Sequence, residues 1–172
     1  MIQFVKNKEI YESVIANLIP KATKFVWIAT ADIKDMHVSG GGKGFRPFLG
    51  VLNDLVKDGV AIRLLHAKEP GPRFRKDFDK YPALLKGMER NLCPRVHLKT
   101  VVVDGSAAFL GSANLTGAGM GAKSEHRRNF ESGIVSDEPE LIDAVMAQFD
   151  DIWMGACCDA CQRKEFCSDP IA

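Results

Sequence analysis

Apolar positions recur along this chain at two spacings, helical and alternating, and the order in which they appear predicts its elements. Ile10, Val14, Ile15, Leu18 and Ile19 mark a helix over 9–18 that stops at Pro20, and the apolar run over 24–30 follows as a buried strand. Phe48, Leu49, Leu52, Leu55 and Val56 line one face of a helix over 46–57 that Gly59 ends, and 61–66 is the next strand. Residues 68–80, rich in charge and punctuated by Pro70, Gly71 and Pro72, read as a solvated loop, and 82–90 as a short helix. Two strands, 96–103 and 107–110, flank Asp104-Gly105, a dipeptide suited to a tight hairpin turn. A strand over 130–135 precedes a last amphipathic helix over 139–154, with Leu141, Ile142, Val145, Phe149, Ile152 and Trp153 inward. Helices and strands alternate first and strands cluster later, which predicts an α/β domain, a mixed β-sheet sandwiched between helices.

The length of 172 residues suits one such domain, assigned to 1–155, with a short cysteine-rich tail over 156–172. With 23 basic against 22 acidic residues, bulk charge singles out no partner, so any polyanion-binding face has to come from local clustering. The apolar stretches are too short to span a bilayer and the first residues carry no export pattern, so a soluble, cytoplasmic protein is expected. Five cysteines, one of them isolated, fit a metal or redox site better than a disulfide framework.

The densest chemistry begins at His97. Strand alternation puts His97 and Lys99 on one face, and the hairpin through Asp104-Gly105 returns Ser112 and Asn114 beside it. Imidazole, ammonium, hydroxyl and amide then converge in a place suited to an anion. Against a phosphodiester the imidazole can attack phosphorus while Lys99 and Asn114 donate to the non-bridging oxygens as charge builds on them.

The full pattern is His-x-Lys, four residues, Asp, six residues, Gly-Ser-x-Asn, and it resembles the HKD signature of the phospholipase D superfamily with every spacing intact. The resemblance implies a phospholipase D-like fold and a phosphodiesterase that needs no metal for catalysis. It makes His97 the nucleophile that forms a phosphohistidine, Lys99 and Asn114 the phosphate-binding pair, Ser112 a supporting hydroxyl and Asp104 a motif residue of structural weight. Glu131 stands where an acidic residue usually orients a catalytic histidine. Members of the superfamily join two such motifs across a pseudo-twofold axis. Here His37, His66 and His126 lack the rest of the pattern, so a symmetric homodimer sharing one active site is implied, as in its short single-motif nucleases.

Loops rich in basic residues are expected to border the site: Lys43 and Arg46, then Arg73, Arg75 and Lys76, then Lys123, Arg127 and Arg128. Lys43, Arg127 and Arg128 are the candidate substrate contacts, since guanidinium forks suit phosphate. The glycine run over 39–44 is not a P-loop, because His37 stands where a Walker glycine belongs and Gly44 follows Lys43 in place of Ser or Thr. In the tail, Cys158, Cys161 and Cys167, joined by the distant Cys93, supply four thiolates for a structural zinc ion or a [4Fe-4S] cluster, with Cys157 an alternative to Cys158. Small size and the lack of a membrane-binding amphipathic segment favour a nuclease, with nucleic acid as substrate. Phospholipase D or phosphatidyl-transfer activity on phospholipid is the enzymatic alternative, and a non-catalytic nucleic-acid-binding module is the alternative of another class.

Overall fold

The computed structural model describes residues 1–34, 36–39 and 44–168. Nine strands and five α-helices occur in it: β1 (Ile2–Lys6), α1 (Lys8–Ile10), β2 (Phe25–Thr30), β3 (His37–Ser39), β4 (Phe45–Pro47), α2 (Phe48–Lys57), β5 (Ala61–His66), α3 (Pro72–Phe78), α4 (Pro82–Gly87), β6 (Met88–Leu92), β7 (Lys99–Val103), β8 (Ala107–Gly111), β9 (Ser132–Ser136) and α5 (Pro139–Trp153). Past α1 the winding widens to a π-helix over Tyr11–Leu18 and tightens to a 3₁₀ turn over Ile19–Lys21, where Pro20 ends it. Seven strands form one sheet in the order β1-β9-β8-β7-β2-β5-β6. The β2–β5 and β5–β6 pairs are parallel and the others antiparallel, so the sheet is mixed.

Strand alternation explains how the sheet carries helices on both faces. Val26 and Ile28 of β2, Ile62 and Leu64 of β5, and Val101 and Val103 of β7 face the larger core with Ile10, Leu52 and Leu84. Trp27, Ala29, Leu65 and Val102 face the other way, onto α5 through Ile142, Val145 and Phe149. There Trp27 stacks on Phe149 at 5.0 Å between ring centres, Phe149 on Trp153 at 5.6 Å, and the Arg63 guanidinium lies over both tryptophans. Burying Phe149 alone is worth about 2–3 kcal/mol.

Several elements differ from the pattern-based expectation. The segment over 68–80 is not all loop: Phe74 and Phe78, one helical turn apart, bury themselves and wind Pro72–Phe78 into α3. The helix expected over 82–90 stops at Gly87, and Met88–Leu92 instead joins the sheet edge beside β5. The strand expected over 96–103 begins at Lys99, and the one expected over 130–135 begins at Ser132, which leaves His97 and Glu131 on the approaches to their strands. The loop expected over 39–44 is bordered by a small hairpin of β3 and β4, and residues 40–43 lie outside the described residues. The Asp104-Gly105 turn forms as expected, both residues taking positive φ, 56° and 65°.

Candidate active site

β7 runs antiparallel to β2, and Lys99 pairs with Thr30 across that ladder. The start of β7 therefore meets the end of β2 at one end of these central strands, and the motif residues gather there. His97 is exposed, while Lys99 is buried among the strands. The Lys99 ammonium donates to the His97 carbonyl at 2.7 Å and lies 2.9 Å from His97 Nδ1, which as the unprotonated ring nitrogen accepts from it. Burial pushes the Lys99 ammonium below its ordinary value, and the Glu131 carboxylate opposes that shift. The sheet thus spends burial on holding a cation directly against the imidazole.

Ser112 follows β8, and its hydroxyl donates to Glu131 and accepts from the Ser132 amide at 3.1 Å. Glu131 also accepts from Asn129 Nδ2 at 3.0 Å. Among the described residues the hydrogen bonds of its carboxylate come from Ser112 and Asn129, so it reaches Lys99 by charge and holds the returning strand, where direct orientation of His97 was expected. Gly111 permits this closeness: a Cβ there would stand 2.6 Å from the Ser132 carbonyl and 2.7 Å from the Phe109 ring.

Asn114 is fixed by the end of β2. Its Oδ1 accepts the Asp32 amide at 3.2 Å, leaving the Nδ2 donor for a ligand. Thr30 braces the same corner, its hydroxyl donating to Asp32 O at 2.7 Å and accepting from Leu115 N at 2.9 Å. Asp104 sits at the far end of β7, where its carboxylate accepts from the amides of Thr23 (2.9 Å), Lys24 (2.8 Å) and Phe25 (2.8 Å) and from the Thr23 hydroxyl (2.9 Å). Burial pushes this acid up, but the four donors outweigh it and hold Asp104 below the usual carboxylate range.

Asn114 lines an open groove of about 1050 Å³ together with Asp32, Lys34, Lys68, Arg73 and Lys123. Asp32 pairs with Lys34 and Lys68 at 3.1 Å each, whereas among the described residues Arg73 and Lys123 have no carboxylate partner, so the groove keeps free positive charge. Of the expected substrate contacts, Arg127 is exposed and Arg128 half-buried on the segment beyond Lys123, and neither is among the residues that line this groove; Lys123 and Asn129 of that segment take the place. Arg46 turns away to Asp54 at 2.6 Å, and Lys43 lies outside the described residues.

Pattern reasoning missed Thr30, which looked like the plain end of a strand, and Asn7. Asn7 precedes a helix but does not cap it: its Oδ1 accepts the Glu131 amide at 3.1 Å and its own amide donates to Glu131 O at 2.9 Å. Its positive φ of 49° was the only local sign of a special position.

The cysteines lie to the β6 side of this corner, where the Cys93 amide donates to His66 O at 2.9 Å. Cys93, Cys158, Cys161 and Cys167 line one small cavity, while Cys157 is exposed outside it. Among the described residues no three or more His, Cys, Asp or Glu side chains close on a common point as metal ligands.

Fold and motif together define the class: a phospholipase D-type phosphodiesterase fold carrying one motif, half of the usual pair. The model for the family described as cardiolipin synthase, PLD-like domain, matches residues 15–153, and the chain belongs to that family. Among solved structures, NucT from Helicobacter pylori is 15% identical with a TM-score of 0.65, covering 90% of this chain and 97% of its own. Nuc from Salmonella typhimurium, a phospholipase D family member, is 17% identical with a TM-score of 0.65, over 90% of this chain and 94% of its own. TrmBL2, an archaeal chromatin protein whose structure shows a novel mode of DNA binding, shares the fold at 13% identity and a TM-score of 0.59, over 89% of this chain and 52% of its own. No curated protein matches in sequence. No helix among the described residues is long and apolar enough to cross a membrane.

Proposed function

We propose that this protein is a phosphodiesterase that works through a phosphohistidine on His97, acts on nucleic acid, and does so as a homodimer. The observation that carries the reading is the exposed His97 ring held against the buried Lys99 ammonium. A protein that only bound nucleic acid would have no use for a buried cation beside a nucleophile, because burial costs free energy that an exposed lysine avoids.

In this reading the non-bridging oxygens of a bound diester take over Lys99, freeing the ring, while Asn114 Nδ2 donates to the same phosphate. An imidazole nitrogen of His97 forms a bond to phosphorus, the P–O bond to the leaving group breaks, and the alkoxide takes a proton from the partner's His97. Water then attacks phosphorus, gives its proton back to the partner's His97, and the P–N bond breaks to free His97 and a monoester. No step requires a metal ion. In this reading the second histidine comes from another copy, because His37, His66 and His126 lack the rest of the motif and His66 is buried with Nδ1 on Lys68 O. Phe130, 96% exposed beside Glu131, and Phe4 on the edge strand β1 offer that copy an apolar seat.

The groove favours a polymer over a lipid. Seven charged side chains line it, and it retains Arg73 and Lys123 for the phosphates of a polymer. The test is cleavage of a chromogenic diester and of single-stranded DNA in the presence of chelator, with wild type and His97→Ala compared. Chelator-resistant turnover, with acid-labile phosphate trapped on His97 and lost in His97→Ala, is the expected result. Cleavage that survives the substitution refutes it, and tight, salt-sensitive DNA binding without turnover in wild type replaces it with the binding-module reading.

A further inference from the structure

After Gly155 the chain contributes almost nothing to the core. Of the described residues over 156–168, only Cys158, Cys161 and Cys167 turn inward, each half-buried, and every other one is exposed. Its backbone hydrogen bonds beyond the end of α5 are local, as in Cys161 N to Cys158 O and Cys167 N to Lys164 O. The contacts that tie it to the body run through the sulfurs. The Cys167 thiol points to Leu92 O at 3.9 Å, and Arg95 lines the same cavity as Cys161. A segment this short, with no apolar side chain buried, cannot hold a fixed place by packing, and chains of that kind are stapled by a metal or by disulfides.

The inward cysteines share one cavity of about 40 Å³ with Cys93, which arrives from the segment between β6 and His97. Three cations line it as well, Arg95, Arg163 and Lys164, and among the described residues none of them has a carboxylate partner. All three are exposed to water, and Arg163 also lies over the Phe166 ring at 4.9 Å. Around a dication held by four thiolates, a centre of net charge −2, they are the expected counter-charge.

We propose that Cys93, Cys158, Cys161 and Cys167 form a tetrathiolate site for a zinc ion that latches the tail onto the segment leading into His97. Cys158-x-x-Cys161 has the spacing of a zinc knuckle. The cavity has room for a single metal ion among the four sulfurs. The four thiols line it without meeting on a common point, so binding requires their side chains to turn inward. Binding forms four Zn–S bonds and releases four protons, one from each thiol, so no oxidant or reductant is involved. Cys157, adjacent but outside the cavity, is left over.

The test needs no enzymatic assay, so it stands apart from the phosphodiesterase reading. The full chain is purified without chelator, its metals are measured, and zinc is exchanged for cobalt. The expected result is about one zinc per chain, a cobalt spectrum with the strong visible bands of tetrahedral tetrathiolate coordination, and tryptic protection of Arg163 and Lys164 that ends when the metal is stripped. Cys157→Ser keeps the zinc, and Cys161→Ser lowers it to about a tenth or less. Iron in place of zinc, two disulfides by mass, four alkylatable thiols in zinc-supplemented protein, or loss of zinc in Cys157→Ser each overturns the proposal. The cobalt spectrum is read on wild type, so a variant that fails to fold does not leave the question open.

Discussion

Asp104 lies within the motif yet sits at the far end of β7 from His97, about 20 Å away along a strand of this length. Its carboxylate holds three amides and a hydroxyl of 23–25, the entry to β2, and its φ of 56° lies in the left-handed region. Asp104→Ala removes every one of those acceptors and places alanine where a Cβ is strained. The strain costs about 1 kcal/mol. The lost bonds add about 1–2 kcal/mol, since three of the four are exposed enough for water to replace the carboxylate and the Phe25 amide is only partly so. The total is about 2–3 kcal/mol. Asn tolerates the conformation and keeps one oxygen, so Asp104→Asn costs about 1 kcal/mol. With a urea slope of about 2 kcal/mol per molar, the midpoint falls by about 1–1.5 M for alanine and about 0.5 M for asparagine. The carboxyl is held below its unfolded value, so its contribution is complete above the unfolded pKa near 4 and is lost as pH falls through the lower folded value. Wild type and Asp104→Asn therefore converge in stability as the medium is acidified below about pH 4. Below their melting points, turnover per folded molecule is unchanged in both variants. A large fall in kcat with an unshifted urea midpoint would refute this assignment and place Asp104 in the chemistry.

Lys99→Met removes the buried ammonium, and turnover of a small diester is expected to fall about 10²–10³-fold while the melting temperature holds or rises, as read by steady-state kinetics and calorimetry. In Gly111→Ala the new methyl meets the Ser132 carbonyl and the Phe109 ring, so thermal unfolding should show a loss of about 2–4 kcal/mol; an unaltered melting temperature contradicts the close strand approach. Arg73→Glu with Lys123→Glu should raise KM for a single-stranded oligonucleotide about tenfold or more at low salt and leave a chromogenic diester untouched, and equal effects on both substrates would argue against the groove as the path of a polymer.

What the sequence disclosed and what it hid follow from range. The motif was legible because its residues are joined by one hairpin, whose Asp-Gly turn fixes the register that returns Ser112 and Asn114 beside His97 and Lys99. The long helix ending at Trp153 and the apolar strands β2 and β5 were equally plain from period. Strand β1 escaped because its one buried residue is Val5, and an edge strand with a single inward side chain shows no period. Helix α3 was masked by Pro70, Gly71 and Pro72, although proline at the start of a helix costs nothing there, and the pairing of Phe74 with Phe78 was the clue. Roles for Asn7 and Thr30 could not be read at all, because each depends on a partner more than eighty residues away. The basic pair Arg127-Arg128 was credited with a position that Lys123 and Asn129 occupy, since charge in a loop says nothing of which way the loop turns.

The pairing of β1 with β9 also sets a clock. In chain order residues 2–6 form the first strand of the sheet and their neighbour over 132–136 the last, so this edge of the sheet stays unfilled until all the strands between them have been made. Asn7, directly after β1, is the residue that pins the backbone of Glu131. The corner that carries Ser112 and Glu131 therefore locks only in that final closure, and this long-range pairing is a slow kind of contact to make. Under the proposed mechanism, an unfinished or locally opened chain therefore lacks a complete site, and activity depends on topological completion of the sheet.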